Sequence, residues 1–190
     1  MFYHASNIKD LKGLKPHVSM HGKSLVYFSD KKENVLVYLS NAVEKYIKEK
    51  YNRPLKQYKK WAAYGFNKDG VIRLEEYYPN AIEETFKGVG GYIYCVEKLT
   101  LPDSIKEIKN VVAIDDEVEV SSIIEIKDAY EEILKAEQEG KLEILKFENL
   151  TEKQIERVKN MMINEFRNTD NEDYKEFILN KFKWMKEYLN

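Results

Sequence analysis

Apolar residues in this chain come in short runs, and the spacing inside those runs changes along its length. Residues 24–29 (SLVYFS) and 92–97 (YIYCVE) are β-branched and aromatic, which suits strands buried on a sheet. Residues 1–5 form a similar apolar run, and residues 111–114 and 118–126 predict two further strands. Residues 61–66 and 71–77 flank Asn67-Lys68-Asp69-Gly70, a turn sequence that predicts a β-hairpin. Residues 142–147 alternate as a half-buried edge strand would.

Helical spacing is interleaved with these strands. Asp30 with Glu33 reads as a capping box, and Val35, Leu39, Ala42, Val43 and Tyr46 recur every three or four residues. Together they predict one helix from Asp30 to about Tyr51, stopped by Pro54. Short helices are expected at 81–87 and at 129–139, the latter capped by Asp128 and stopped by Gly140. From Thr151, capped with Gln154, the pattern is helical throughout. Ile155, Val158, Met161, Met162 and Phe166 form one stripe, and Tyr174, Phe177, Ile178, Phe182, Met185 and Leu189 form a second. The expectation is an α+β core over 1–148, with a split, mixed β-sheet, and a C-terminal helical hairpin over 149–190 that packs on it or presents a partner or self-association surface.

Charge and cysteine content narrow the function classes. The 190 residues carry 31 Lys+Arg against 33 Asp+Glu, a net charge of -2, which argues against a dedicated nucleic-acid binder and against attraction to an anionic membrane. Cys95 is the single cysteine, so an intramolecular disulfide and any zinc site built on two cysteines are excluded. The start, MFYHASNIKD, lacks a signal-peptide pattern, and no run approaches the ~20 apolar residues of a membrane span. The cytoplasm is the expected location.

One constellation carries chemistry. The first strand ends in Tyr3-His4-Ala5-Ser6, and the next ends in Tyr27-Phe28-Ser29-Asp30. A helix carrying Tyr38 follows, and an acidic run, Asp115-Asp116-Glu117 with Glu119, lies near a later strand. In these features the chain resembles the His-Tyr-Glu branch of the ADP-ribosyltransferase superfamily, which includes poly(ADP-ribose) polymerases, diphtheria-like toxins and rifampicin-modifying enzymes. His4 and Ser6 match its aromatic-His-Gly-Ser/Thr motif, with Ala5 in place of glycine. Tyr27 and Tyr38 match its pair of tyrosines, and Glu117 stands for its glutamate.

The resemblance implies an NAD-binding cleft and transfer of ADP-ribose to an acceptor, with release of nicotinamide. His4 would bind the adenosine-side ribose. Ser6, with first-motif backbone, would hold the nicotinamide amide. Tyr3 and Ser29 would complete the cofactor contacts. Tyr27 and Tyr38 would stack on the cationic nicotinamide ring. Glu117 would bind the nicotinamide ribose and stabilise the oxocarbenium-like state, with His4 and Tyr27 beside it in the catalytic set. The acceptor is a protein, a nucleic acid or a small molecule. An RNA 2'-phosphotransferase and a non-catalytic interaction module are the alternatives within the same fold.

Other motifs read as structure. His17 and His21 are four apart, but no cysteine or carboxylate stands beside them, so no metal is expected. Glu75 and Glu76 are neighbours that point to opposite faces of a strand, which does not make an acid/base couple. Gly88-Val89-Gly90-Gly91 leads into a strand instead of opening a helix, so it is turn chemistry and not a phosphate loop.

Overall fold

A computed structural model describes residues 1–18, 24–61, 63–99 and 111–188. His21, Leu189 and the 101–109 segment, for which a loop or short helix is expected, lie outside them. Strands β1 (Phe2–Ser6), β2 (Gly13–Leu14), β3 (His17–Val18) and β4 (Ser24–Ser29) precede a 3-10 helix (Lys32–Tyr38) and α1 (Ala42–Tyr51). Next come β5 (Tyr64–Phe66), β6 (Ile72–Glu75), α2 (Ala81–Phe86), β7 (Gly91–Val96), β8 (Val111–Ile114), β9 (Val118–Glu119), β10 (Ser122–Ile126) and α3 (Ala129–Gln138). The chain closes with β11 (Glu143–Leu145), a short 3-10 turn (Phe147–Asn149), α4 (Glu152–Asn168), α5 (Glu172–Lys181) and α6 (Met185–Tyr188). The fold is α+β.

Packing divides the chain into two compact units, each built from three stretches. One comprises Met1–Leu39, Gly65–Arg73 and Phe86–Glu143; the other comprises Ser40–Tyr64, Leu74–Thr85 and Ile144–Asn190. The C-terminal helices thus share a unit with α1 and α2, a different division from the expected boundary at 148.

The first unit is organised by a sheet of order β10-β7-β1-β4-β3, with β8 also on β4. β1 pairs antiparallel with β7 along its whole length, from Phe2 opposite Val96 to Ser6 opposite Tyr92. β10 continues the ladder on the far side of β7, and β8 runs antiparallel to β4, from Val26 opposite Ile114 to Ser29 opposite Val111. One face of the sheet buries Val26, Phe28, Tyr94, Val96 and Ile114. The β2–β9 ribbon packs there through Leu14, Val118 and the adjoining Val120. The Tyr94 hydroxyl donates to the Ile8 carbonyl (2.5 Å) and accepts from the Leu11 amide (3.3 Å), which fixes the 7–12 loop. A side chain at Gly91 would meet Leu39 Cδ2 at 2.6 Å and the Ser6 carbonyl at 3.2 Å, so only glycine opens β7 there.

The second unit gathers α1, α2, α4, α5 and α6 around Val43, Tyr78, Met162, Tyr174, Phe177, Ile178, Phe182 and Met185, all buried. The Trp61 ring lies within 5.9 to 6.2 Å of the Tyr77, Tyr174, Phe177 and Phe182 ring centres. Of the two C-terminal apolar stripes, expected to pack on the core or to present a partner surface, Val158, Met162, Tyr174, Phe177, Ile178, Phe182 and Met185 lie inside this core. Three polar side chains bind the preceding segment to it. Asn41 Nδ2 donates to the Lys59 carbonyl, while its Oδ1 accepts from the Trp61 and Val43 amides. Asn171 caps α5 and donates to the Gln57 carbonyl. Asp173 accepts two bonds from Arg53 (2.6 and 3.0 Å) and one from the Lys56 amide (2.8 Å). Glu76 is buried and accepts from the Ile82 and Phe147 amides, while Glu75 faces Arg157 at 3.9 Å, so each glutamate has a structural partner.

Several expected boundaries shift for identifiable reasons. The single helix predicted from Asp30 to Tyr51 is two elements. Ser40 gives its hydroxyl to the Thr85 carbonyl, and Asn41 caps a new start at Ala42. Asp30 is not the cap of the first element; Ser29 Oγ accepts from the Lys31 amide instead. The strand expected at 118–126 breaks at Val120 and Ser121, because β9 pairs with β2 and β10 with β7. The last helix breaks at Phe182. The Thr151–Gln154 capping box and the Asn67–Gly70 turn form as expected. No helix among the described residues is long and apolar enough to cross a membrane.

The Arg53–Asp173 pair makes stability depend on pH. Bonding to Arg53 holds the Asp173 carboxyl at about 2, below its ordinary 3.8, with the Lys56 amide adding to the effect and burial opposing it. The group's contribution is complete above its unfolded value and is lost as pH falls through about 2. Asp173→Asn should cost roughly 2 kcal/mol in urea denaturation at neutral pH. The gap between the variant and the parent should shrink as pH falls from 4 towards about 2.

Candidate functional site

The residues singled out in the sequence converge on the first unit, where β1 and β4 lie side by side. These two strands meet in one register pair, Tyr3 with Ser29. Below it the ladder is replaced by a side chain. His4 Nδ1 lies 2.9 Å from the Tyr27 carbonyl, and because a carbonyl only accepts, Nδ1 carries the hydrogen. The imidazole also packs against Phe28, with ring centres 5.9 Å apart.

Strand alternation sorts the predicted side chains onto two faces. The register places Phe2, His4 and Ser6 on the face of Tyr94 and Tyr92, and places Tyr3 and Ala5 on the face of Cys95 and Ile93. Ser29 shares the face of its partner Tyr3, and Tyr27, two residues earlier, shares it too. His4 and Ser6 therefore sit on one side of the sheet and Tyr3, Tyr27 and Ser29 on the other, with the His4–Tyr27 bond linking them through the backbone. Tyr38 is the last residue of the 3-10 helix and is half-buried. Ser6 Oγ accepts from the Ile8 amide at 3.2 Å, which turns the chain out of β1.

The end of β4 is a buried polar corner. Ser29 Oγ accepts from the Lys31 amide (3.1 Å) and from Asn34 Nδ2 (3.2 Å), and both Ser29 and Asn34 are 2% exposed. The Tyr3 phenol is pushed up from its ordinary value by burial first, then by Cys95 and Glu33. Glu33 lies 3.8 Å from Lys141. Cys95 is buried in β7.

The acidic residues are distributed differently from the expectation. Glu117 follows β8, which runs antiparallel to β4, so the 115–117 turn lies beyond the start of β4 and Ser29 lies at its end. Its carboxylate rests over Gly13, and 3.9 Å from Lys15. Glu119 lies on β9 opposite Gly13, and Asp116 caps the Glu117 amide. The carboxylate that shares a face with Ser6 and His4 is Glu125. It lies opposite Tyr92, which in turn lies opposite Ser6. Sequence reasoning passed over Glu125, Tyr92 and Asn34. Glu125 is the one charge among apolar neighbours at 123–126, and Asn34 is the one polar residue opening the run NVLVYL. Each is therefore visible as an exception to its pattern. Among the described residues no group of three or more His, Cys, Asp or Glu is placed to hold a metal ion.

Comparisons with protein-family models, with curated proteins and with solved structures find no match for this chain.

The His4 geometry has a direct spectroscopic consequence. In nitrogen-15 spectra, neutral His4 should show a protonated Nδ1 and an unprotonated Nε2, the reverse of the commoner solution tautomer. The assignment is simple in a chain with three histidines. Replacement by Phe, which keeps the ring contact and drops the bond, should cost about 1 kcal/mol.

Proposed function

We propose that this chain binds NAD at the β1–β4 parting and transfers ADP-ribose to an acceptor nucleophile, releasing nicotinamide. The observation that carries the reading is the His4–Tyr27 link. The two strands with the motif residues are adjacent and antiparallel, joined by one backbone pair, and opened at the histidine. A flat ring held beside this link would rest on two rigid strands, which is what a nicotinamide slot requires. Tyr3, Tyr27 and Tyr38 supply aromatic faces on or beside these elements for a cationic ring.

The chemistry is a substitution at the nicotinamide-ribose carbon. The carbon–nitrogen bond breaks, and the pair of electrons leaves with nicotinamide. The oxocarbenium-like carbon is then attacked by the acceptor, which loses a proton. A pre-placed carboxylate stabilises the positive centre. Glu117 and Glu125 are the two groups we assign to be tested for that role. Glu125 shares a face with His4 and Ser6, across β7 from β1, and Glu117 lies beyond the start of β4.

Nicotinamide release from NAD, followed by chromatography, tests the reading. The parent chain should be stabilised by NAD and release nicotinamide slowly. His4→Ala should weaken NAD binding about tenfold, the equivalent of one good hydrogen bond. Glu117→Gln or Glu125→Gln should lower release at least 100-fold while NAD still binds, which identifies the carboxylate. A parent chain that shows neither stabilisation nor release at millimolar NAD ends this reading. Stabilisation without release would make it a non-catalytic NAD-binding module.

A further inference from the structure

We propose that the outer edge of β10 is a self-association surface, on which a second copy of this chain pairs its own β10 antiparallel about a twofold axis at Ile124. The inference is independent of the NAD reading. β10 ends the sheet order, and among the described residues no strand pairs with its outer side. Residues 122–125 are all exposed. Ile123 and Ile124, on opposite faces of the strand, are 42% and 38% exposed. Neither a lysine nor a proline interrupts Ser122–Ile126, although strand edges left to solvent are commonly blunted by such residues.

The hydrogen-bond phase of the sheet decides which backbone groups face outward. The Ser121 amide donates to the Cys95 carbonyl at 2.9 Å, while the register sets Cys95 opposite Ser122. Two residues thus face one, a β-bulge in which both amides turn to the shared carbonyl. Ser122, Ile124 and Ile126 therefore point their backbone groups at β7, and Ile123 and Glu125 point theirs outward. The far side of the sheet gives the same phase. The Tyr27 carbonyl turns towards β1, where the His4 ring donates to it. Alternation along β4, β1 and β7 then makes Ser29 and Tyr3 face each other, Tyr94 face β1 and Cys95 face β10.

A strand with outward groups at 123 and 125 is matched by a copy of itself. Antiparallel pairing about Ile124 sets Ile123 opposite Glu125 of the second copy, and the outward amides and carbonyls of the two strands satisfy one another. Ile124 then faces its own copy in a non-hydrogen-bonded pair, the arrangement that brings side chains closer. On the other face the two Ile123 side chains approach diagonally. So do the two Glu125 carboxylates, whose repulsion keeps the contact weak.

Sedimentation equilibrium of the full chain tests the proposal. The parent should be monomeric at about 1 μM and increasingly dimeric towards about 1 mM, the range of a small contact. Ile124→Lys should weaken the dimer at least tenfold, whereas Ile8→Lys, at an exposed isoleucine away from β10, should leave it unchanged. Single cysteines fix the register. Ile124→Cys should crosslink two chains under mild oxidation, because residue 124 faces its own copy. Ser122→Cys, which faces Ile126 of the second copy, should not, and the natural Cys95 is buried. Should Ile124→Lys fail to fold, the cysteine pair still decides. A parent that stays monomeric at about 1 mM overturns the proposal and leaves the edge to an extended segment of another protein. A dimer that survives Ile124→Lys overturns it too, as does crosslinking through Ser122→Cys in preference to Ile124→Cys.

Discussion

The first unit depends on the way β4 ends. Ser29 is the one point at which β4 pairs with β1, and its hydroxyl receives both the Lys31 amide and the Asn34 side chain. A strand that continued in this register would bring residues 30 and 31 opposite Phe2 and Met1. Instead the chain turns into the Lys32–Tyr38 helix, and Val35, Leu36 and Val37 are buried in it. Below that point His4 spends its Nδ1 hydrogen on the Tyr27 carbonyl, which would otherwise look for a ladder partner. One serine thus ties the start of the helix to the β1–β4 register.

The second unit solves a different problem. The 53–61 segment has no regular ladder or helix of its own, so its backbone groups need partners from elsewhere. Asn41, Asn171 and Asp173 supply them, and two of these are at the same time helix caps. The segment then delivers Trp61 to the centre of the aromatic cluster. Helix starts and loop anchoring are one set of interactions here. Loss of any of these three side chains removes a cap or an ion pair and a loop contact together.

The candidate site was partly readable in advance. β1, β4, β7 and α3 lie where their β-branched runs and cap residues put them, because those signals are local. The motif residues of β1 and β4 do come to adjacent strands. Their division between two faces follows from register and not from spacing: one pair, Tyr3 with Ser29, decides it for His4, Ser6 and Tyr27 alike. Glu117 illustrates the same limit. Its place in an acidic run near a strand says nothing about which end of β4 that strand leaves from, and the antiparallel β8 sends it to the start.

The amino-acid sequence by itself determined the class of fold, the positions of most strands and helices, and the caps at Asp128 and Thr151, since period, propensity and capping act over a few residues. With one cysteine it also excluded a disulfide between two of these 190 residues. Only the tertiary structure decided that Ser40 and Asn41 break a helix, that 118–126 serves two different partners, and that the C-terminal apolar stripe lies inside a core. Each of those outcomes turns on a group far away in sequence, such as the Thr85 carbonyl, β2, β7 or Trp61, whose hydrogen-bonding and packing demands no local window contains.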